Sequence, residues 1–283
     1  MLKQRVITAF VMLAIVLPTL FFSAPWPFCV LALAFMAAGA WEWARLNGLL
    51  GVKAFYFAGL FTVLAVLSWY LGLIDRPLPM VWIMASGFWV LVSTWLLKTG
   101  VSGWGKIPAA LRYIGGMLVL WLAWLAVSQA RVQGVNFLMS VLTLVWVADS
   151  FAYFSGRAWG GKFTLNKLAP AISPGKSWEG VWGGIVGVFL LAALWVLVDS
   201  YWNNAVESLY TRLRNQNLIL MGSALLFLTA MSVVGDLIES LIKRSAGVKD
   251  SSGLLPGHGG VLDRADALLP TLPIAMMLAS LAH

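Results

Sequence analysis

One apolar stretch in the second half of the chain ends in side chains that are suited to chemistry. They stand at positions i, i+3, i+4 and i+7: Asp236, Glu239, Ser240 and Lys243. A helix over this stretch places them in one stripe on one face. Carboxylates are ligands that a hard divalent cation prefers, while lysine and the adjacent Arg244 would neutralise phosphate. The alternative interpretation is a ladder of charges that only solvates the end of a helix.

The segment that follows, residues 245–262, is a short loop rich in glycine and serine. Glycines let backbone amides approach phosphates closely, and neighbouring cations neutralise them. Just after the loop, Asp263 and Asp266 are three residues apart and open the last apolar segment on one face. The candidate site residues of this region are Lys249, Asp250, His258, Gly259, Gly260, Asp263, Arg264 and Asp266. The alternative is a set of surface salt bridges in a mobile loop.

A second polar island lies between two apolar segments further upstream. Asp149 falls inside a predicted apolar helix, and the turn after that helix contains Ser173, Lys176 and Ser177. The Gly-Lys-Ser of this turn does not make a Walker A loop, because Pro170 occupies the first glycine position and no strand precedes it. What remains is a lysine-containing turn that leads into a helix N-terminus, a favourable place for an anion. For Ser177 the alternative is an ordinary N-cap.

Together these residues predict phosphate chemistry. The carboxylates suit Mg²⁺ and the lysines and arginines suit a polyphosphate. The sequence contains no G-x-S-x-G, H-E-x-x-H or C-x-x-C pattern, so we expect direct in-line transfer at phosphorus by positioning and charge. His258 has no cysteine or second histidine nearby, which argues against a transition-metal site; it would act on a phosphate or bond the backbone.

Composition decides which elements must position these residues. The chain has 283 residues, of which 61% are hydrophobic and 11% are charged, and its mean hydropathy is +0.87. Soluble proteins carry about 25% charged residues, and a water-soluble fold of this size could not hide so much apolar surface. Cys29 is the single cysteine, which excludes an intrachain disulfide. The predicted fold class is an all-α polytopic integral membrane protein.

Nine apolar segments approach the roughly 20 residues that a helix needs to cross a bilayer. They are 6–22, 27–43, 54–74, 78–97, 113–130, 135–154, 178–198, 218–242 and 265–282. The first is longer than the core of a secretory signal peptide, and we interpret it as a retained span. The last is short and contains Pro270 and Pro273, which predicts a kinked or tilted span.

The distribution of charge predicts orientation and organisation. With the N-terminus inside, 15 of the 19 lysines and arginines fall in cytoplasmic segments, as the positive-inside rule requires. The net charge of +8 has the same explanation and does not indicate a nucleic-acid partner. Residues 1–134 contain only two acids, Glu42 and Asp75, and we interpret them as a scaffold of five spans. Residues 135–283 would form the catalytic region of four spans, with cytoplasmic loops 155–177 and 243–264.

Some dozen positions between Ser240 and Asp266 match a known signature in type and spacing. The sequence reads Ser-Leu-Ile-Lys-Arg from 240, Lys-Asp at 249, and Leu-Pro-Gly-His-Gly-Gly-Val-Leu-Asp-Arg from 255, followed by Asp266. This pattern resembles the signature of the phosphatidate cytidylyltransferases, or CDP-diacylglycerol synthases. Asp-Ser-x-Ala-Tyr from 149, Lys-Leu-Ala-Pro from 167, Ser-Pro-Gly-Lys-Ser from 173 and Trp-Glu-Trp from 41 are similar to the bacterial members.

The resemblance implies transfer of the cytidylyl group of CTP to phosphatidic acid, giving CDP-diacylglycerol and pyrophosphate, with Mg²⁺ and room for a second cation. It implies metal ligands at Asp236 and Asp263. The phosphate contacts and other catalytic-site residues would be Lys243, Arg244, Lys249, Arg264, Asp250 and His258. We assign substrate binding to Asp149, Ser173, Lys176, Ser177, Glu239, Ser240, Gly259, Gly260 and Asp266. A homodimer in the bacterial inner membrane, with its active site facing the cytoplasm, is also implied.

Two other classes of function remain open at this point. A CTP-dependent lipid or polyprenol kinase would also be polytopic, but it would transfer the γ-phosphate and release CDP. A transporter should place ionisable residues at mid-membrane in paired broken helices. In this sequence they crowd towards one membrane face and into one half of the chain, which disfavours the transporter.

Overall fold

The computed structural model describes residues 2–164, 166–202 and 205–282, with side chains from residue 4 onward, and within these ranges it contains helices and no β-strand. The helices are α1 (Leu2–Leu20), α2 (Trp26–Leu46), α3 (Val52–Tyr70), α4 (Pro79–Thr99), α5 (Val101–Trp104), α6 (Ala109–Gln133), α7 (Val135–Trp159), α8 (Trp178–Trp202), α9 (Leu209–Gln216), α10 (Leu218–Ser245), α11 (Leu262–Ala265) and α12 (Leu268–Leu281). Among the described residues, eight spans are long and apolar enough to cross a membrane: α2, α3, α4, α6, α7, α8, α10 and the α11–α12 segment. The all-α polytopic prediction is therefore confirmed, and the first predicted span corresponds to α1, a shorter apolar helix.

The last span is interrupted close to its beginning, as its prolines predict. Pro270 has no N–H to donate to the carbonyl of Asp266 four residues earlier, and α11 and α12 are separated by Asp266 and Ala267. The Asp266 carbonyl faces Gly235 of α10, where an added β-carbon would lie 2.5 Å from that oxygen and 2.9 Å from the ring of Pro270. Glycine at 235 thus allows α10 to pack directly on the interruption. Asp266 therefore lies beside the part of α10 that contains the predicted stripe.

Two short helices, α5 and α9, lie in segments for which the sequence predicts only connections. In α9 the side chains of Leu209, Tyr210 and Leu213 are fully buried. The buried carboxylate of Asp199, at the end of α8, accepts hydrogen bonds from the Thr211 hydroxyl at 2.6 Å and from the backbone before α9. The partner that satisfies these donors, Asp199, lies on α8. The polar local sequence of α9 therefore did not predict that the helix is buried.

The predicted cytoplasmic segments meet at one end of the bundle. Arg5 Nε of α1 donates to the Gly257 carbonyl of the glycine-rich loop at 3.0 Å. Trp104 Nε1 after α4 donates to Asn47 Oδ1 after α2 at 3.0 Å, and Lys176 before α8 contacts α10. Lys3, which is predicted to belong to this end, lies outside the described side chains. Side chains from both halves of the chain therefore meet at the same end of the bundle, where the candidate site lies.

Candidate active site

The stripe predicted on one face of a helix forms at the end of α10. Ser240 Oγ donates to Asp236 Oδ1 at 3.3 Å, and Lys243 Nζ lies 2.5 Å from Glu239 Oε2, one turn earlier. The same ammonium group lies 2.5 Å from Asp263 Oδ1 on α11. Lys243 is thus held between two carboxylates, one on its own helix and one on the last span.

Asp263 organises the glycine-rich loop as well as pairing with Lys243. Its second oxygen, Oδ2, accepts hydrogen bonds from the backbone amide of Ser251 at 2.9 Å, from the Ser251 hydroxyl at 2.8 Å and from the amide of Gly260 at 2.8 Å. Both oxygens of this carboxylate are therefore occupied by donors from the protein. In this structure the Gly260 amide therefore donates to the Asp263 carboxylate.

Glu42 of α2 is a second organiser of the same loop, and it is completely buried. Its Oε1 accepts from the Ser252 hydroxyl at 2.5 Å and from the Val261 amide at 2.9 Å. Its Oε2 accepts from the Leu262 amide at 2.7 Å and lies 3.1 Å from the Ser251 hydroxyl, whose single proton it shares with Asp263 Oδ2. Three donors of its own and the shared Ser251 hydroxyl compensate the desolvation of this carboxylate, so α2 determines where the loop and the N-terminus of α11 lie.

Glu42 was not among the predicted site residues, although one signal could have found it. It is one of only two acids in residues 1–134 and falls in an apolar segment, where an ionisable side chain needs an explanation. The space around it is tight: a β-carbon at Gly260 would overlap both the Glu42 carboxylate and the Ser251 hydroxyl. Glycine is therefore required at 260 by the packing of the loop around a buried acid.

A polar cavity of about 460 Å³ opens beside the stripe, between α7, α8 and α10. Lys176 reaches into it from the turn before α8, and its Nζ lies 2.6 Å from Asp236 Oδ2. The charged and hydroxyl-bearing side chains that line the cavity are Asp149, Tyr153, Arg157, Lys176, Ser177 and Asp236. The two polar islands of the sequence are thus brought together in space.

Two carboxylates, Asp149 and Asp236, line this cavity, and Asp266 lies near them. Asp149, Asp236 and Asp266 lie close enough for their negative charges to repel one another. Lys176 pairs with Asp236 in the structure. Two cations, Lys176 and Arg157, line the cavity together with Asp149 and Asp236.

Several of the predicted site residues have structural contacts or lie outside the polar cavity. Ser177 Oγ accepts from the Gly180 amide at 3.2 Å, so this serine caps α8 in addition to lining the cavity. Ser173 stabilises the preceding turn through its backbone and does not line the polar cavity. The remaining charged residues of the glycine-rich loop and of the helix ends beside it are exposed: Lys249 and Asp250 in the loop, Arg244 in α10 and Arg264 in α11.

His258 and Gly259 lie on the loop itself, in a turn closed by a backbone bridge between Leu255 and Gly259. The His258 carbonyl accepts from Arg264 Nε at 3.1 Å, while its Nδ1 is buried and has no partner among the described residues. Gly259 has a φ of +84°, which favours glycine.

Two cavity residues were missing from the predicted site, Tyr153 and Arg157, which hydrogen-bond each other at 3.2 Å. The sequence did contain a signal for them, because Tyr153 and Arg157 follow Asp149 at intervals of four residues and so share its helix face.

The donor chemistry at the cavity fits a hard divalent cation. Asp236 is partly exposed to the cavity, with Asp149 and Asp266 beside it. Within the described residues no group of three or more His, Cys, Asp or Glu side chains is arranged to enclose a metal ion. Mg²⁺ needs only one or two protein carboxylates when phosphate oxygens and water complete its shell. Asp263 could become a ligand only if Lys243 released its Oδ1.

Fold and site together define a polytopic membrane protein with a charged cavity at one end of its helical bundle. The sequence matches the profile of the cytidylyltransferase family over residues 3–282. The chain belongs to the cytidylyltransferase family and is an enzyme of the nucleotidyltransferase class.

Two relatives that match nearly the whole chain are both named phosphatidate cytidylyltransferase. The chain is 39% identical over 279 residues to the phosphatidate cytidylyltransferase of Pseudomonas aeruginosa, covering 97% of this chain and 95% of the relative. It is 36% identical over 293 residues to that of Haemophilus influenzae, covering 96% of each chain. A phosphatidate cytidylyltransferase of Thermotoga maritima is 42% identical over 138 residues, which covers 48% of this chain and 46% of the relative. The family resemblance seen in the sequence is confirmed.

Proposed function

We propose that this enzyme transfers the cytidylyl group of CTP to phosphatidic acid, giving CDP-diacylglycerol and pyrophosphate. The observation that carries the proposal is the position of two lysine–carboxylate pairs at one end of a membrane bundle. Lys176 with Asp236 lines the polar cavity, and Lys243 with Asp263 lies at the base of the glycine-rich loop. A nucleotide from water and a phosphate on a lipid could both reach this position. The names of the near full-length relatives support the same reaction.

The proposed reaction is a single displacement at phosphorus. An oxygen of the lipid phosphate forms a bond to the α-phosphorus of CTP. The bond between that phosphorus and the oxygen that bridges to the β-phosphorus breaks, and pyrophosphate leaves with the electron pair. Negative charge therefore grows on the leaving group, and fixed cations stabilise it without reorganising. No covalent bond to a protein side chain is needed.

The residues of the site have distinct tasks in this scheme. Lys176 and Arg157 line the cavity and would bind the phosphates of the nucleotide. Lys243 contacts Glu239 and Asp263 in this structure and, once released from Asp263, would stabilise the charge that develops during transfer. The exposed cations in and beside the glycine-rich loop would attract the incoming substrates: Arg244, Lys249 and Arg264.

Mg²⁺ is the proposed cofactor, with Asp236 and Asp263 as its candidate ligands and room for a second cation near Asp149 and Asp266. Bound there, the ion would offset phosphate charge and hold the reacting groups in line. The carboxylates of this chain would supply the negative site for it, and Lys176 would give up its contact with Asp236 in exchange for phosphate. Glu42 keeps the loop, and with it Asp263, in position throughout.

The cellular setting is proposed from charge and from the relatives. The end of the bundle that holds the site also carries the segments rich in lysine and arginine, which favours the cytoplasmic side. The bacterial sources of the relatives support the inner membrane. A homodimer is part of the proposal, on the family resemblance alone.

The test of this function uses purified protein in detergent with Mg²⁺, CTP and phosphatidic acid. Pyrophosphate should appear only when both substrates are present, and mass spectrometry should detect CDP-diacylglycerol in the lipid extract. Release of CDP, together with a lipid that has gained one phosphate, would establish a kinase and overturn the proposal. Pyrophosphate release without lipid would also contradict it.

A further inference from the structure

Glu179, in the first turn of α8, is a buried acid that no step of the proposed reaction uses. Its side chain is 3% exposed, and it forms no ion pair with a described lysine or arginine. Removing a carboxylate from water is costly unless hydrogen bonds replace the lost hydration. The donors that replace it come from the connection that precedes α8, which gives Glu179 a task outside its own helix.

One oxygen of Glu179 holds the segment that follows α7. Its Oε1 accepts hydrogen bonds from the backbone amide of Phe163 at 3.1 Å, from the amide of Thr164 at 2.8 Å and from the Thr164 hydroxyl at 2.8 Å. Its Oε2 is buried and has no hydrogen-bond partner among the described residues. The side chain therefore ties the first turn of α8 to two neighbouring residues at the other end of the connection.

The segment held by Glu179 leads to the backbone of Lys176. Four positions after Thr164, the amide of Leu168 donates to the carbonyl of Lys176 at 3.3 Å. Leu168 and Lys176 both line the polar cavity, and Lys176 Nζ lies 2.6 Å from Asp236 Oδ2. The contacts therefore run from Glu179, through the connection, to the ammonium group that reaches into the cavity.

The connection is also held together by its own hydrogen bonds. Lys167 Nζ donates to the Pro174 carbonyl at 2.9 Å, and the Ser173 amide donates to the Ala169 carbonyl at 2.8 Å. A segment that is bonded within itself shifts as a unit when an anchor is released. Because binding groups act only when they are placed accurately, such a shift would weaken the grip of Lys176 on a ligand.

We propose that Glu179 is a positioning residue, which holds the connection between α7 and α8 so that the Lys176 ammonium group points into the polar cavity. Glu179 touches neither substrate and acts on the nucleotide phosphates through Lys176. This inference rests on the proposed function, since it takes Lys176 as a contact for the phosphates of CTP.

The unequal use of the two oxygens of Glu179 gives a sharp pair of variants. Glu179→Gln keeps a carbonyl oxygen for the three donors and places its NH₂ group where Oε2 accepts no hydrogen bond. Glu179→Leu has a similar size but leaves the amides of Phe163 and Thr164 without their acceptor. We expect Glu179→Leu to raise the KM for CTP by about five-fold and to change kcat by less than about two-fold. Glu179→Gln should stay within about two-fold of the unaltered protein in both parameters.

The control is Glu207→Leu, which makes the same replacement at an exposed acid and should leave both parameters unchanged. Equal losses in Glu179→Gln and Glu179→Leu would show that the charge matters and the hydrogen bonds do not, which would overturn the inference. A fall in kcat with an unchanged KM in Glu179→Leu would overturn it as well.

A double variant separates the positioning of Lys176 from a general effect on the fold. In a protein that already carries Lys176→Gln, Glu179→Leu should raise the KM for CTP by less than about two-fold further, because the group that it positions is gone. If Glu179→Leu multiplies the KM by the same factor with and without the Lys176 ammonium group, Glu179 acts by another route and the inference is wrong.

A spectroscopic readout separates this inference from the proposed function. Asn166→Cys places a thiol in the exposed connection, and the native Cys29 is buried, so a nitroxide maleimide reports on the connection. The paramagnetic resonance spectrum should show a more mobile label with Glu179→Leu and an unchanged label with Glu179→Gln. Equal mobility in all three proteins would overturn the inference even if cytidylyl transfer is confirmed. If the label responds as expected in a protein that transfers no cytidylyl group, the proposed function fails and the anchoring by Glu179 stands.

Discussion

Lys243 Nζ lies 2.5 Å from Asp263 Oδ1, and this ion pair joins the end of α10 to the beginning of the last span. The opposite oxygen of Asp263 accepts three hydrogen bonds from the glycine-rich loop. One carboxylate thus fixes a cation, a helix end and a loop in a single arrangement. Because breaking a buried pair leaves an uncompensated charge, both partners are sensitive positions.

Asp263→Asn should abolish turnover while leaving the protein inserted in the membrane. The amide has the same shape but loses the charge that pairs with Lys243, so we expect a loss of about 10²- to 10³-fold or more in the rate of CDP-diacylglycerol formation. The measurement is lipid product per unit of purified protein, with size-exclusion chromatography to check folding. Asp75→Asn, an exposed acid between α3 and α4, is the control and should be fully active. Near-normal activity of Asp263→Asn would remove Asp263 from the catalytic site.

Glu42→Gln should lower both stability and activity, although Glu42 need not touch substrate. Each oxygen of Glu42 accepts a backbone N–H, from Val261 and from Leu262, so either orientation of a glutamine places its NH₂ group against an N–H donor. An unsatisfied buried group costs about 1–3 kcal/mol. We expect a Tm lowered by several degrees and at least about ten-fold lower activity.

The control for Glu42→Gln is Glu207→Gln, an exposed acid at the opposite end of the bundle. It carries the same change of charge and should keep the melting temperature and the activity of the unaltered protein. A Glu42→Gln protein that matches this control in both measurements would show that α2 does not position the loop.

Gly260→Ala tests whether glycine is needed at 260 for packing. Its β-carbon would overlap the Glu42 carboxylate and the Ser251 hydroxyl, so the loop must move. We expect activity to fall by about 10²-fold. Gly253→Ala is the matched control in the same loop, because a β-carbon there meets no atom within 4 Å. If both alanine variants behave alike, the packing explanation is wrong.

Lys176→Gln should weaken nucleotide binding through the cavity. Removing the ammonium group leaves Asp236 without its partner and the nucleotide phosphates without one cation, so the KM for CTP should rise by about ten-fold or more. Lys162→Gln, an exposed lysine in the same connection between α7 and α8, should leave KM unchanged. An unchanged KM in Lys176→Gln would place the nucleotide phosphates elsewhere.

The orientation of the site can be tested with cysteine labelling. Cys29 is the single cysteine of the chain and is buried, so an added cysteine on the surface is the main target for a membrane-impermeant maleimide. Gly253→Cys should react in inside-out vesicles and stay unreactive in intact spheroplasts. Arg76→Cys, between α3 and α4, should show the opposite pattern. A reversed pattern would place the active site on the outer face.

Much of the fold and part of the site could be predicted from local patterns. The lengths of the apolar segments gave the spans, and the spacing of Asp236, Glu239, Ser240 and Lys243 gave a stripe that the structure confirms. The spans follow from the length of apolar runs and the stripe from helical periodicity, and the sequence contains both signals directly. The approach of Lys176 to Asp236 could be anticipated only as two polar islands, since their contact depends on how α8 packs beside α10.

What local patterns could not show was the partner of each polar group. Glu42 bonds residues more than 200 positions away in the chain, and this pairing exists only after α2 and the last span have packed together. The glycine at 260 was expected to bring a backbone amide to phosphate, whereas its amide bonds Asp263. Tyr153 and Arg157 entered the site through the packing of α7 against α8 and α10.

The most direct test of the central claim is to follow both ends of the triphosphate in one reaction. CTP labelled with ³²P at the α-phosphate and ³³P at the γ-phosphate is incubated with Mg²⁺, phosphatidic acid and the purified protein. We expect ³²P to move into the lipid while ³³P leaves as pyrophosphate, and we expect Asp263→Asn to transfer neither label. Transfer of ³³P to the lipid, with ³²P left in soluble CDP, would contradict it.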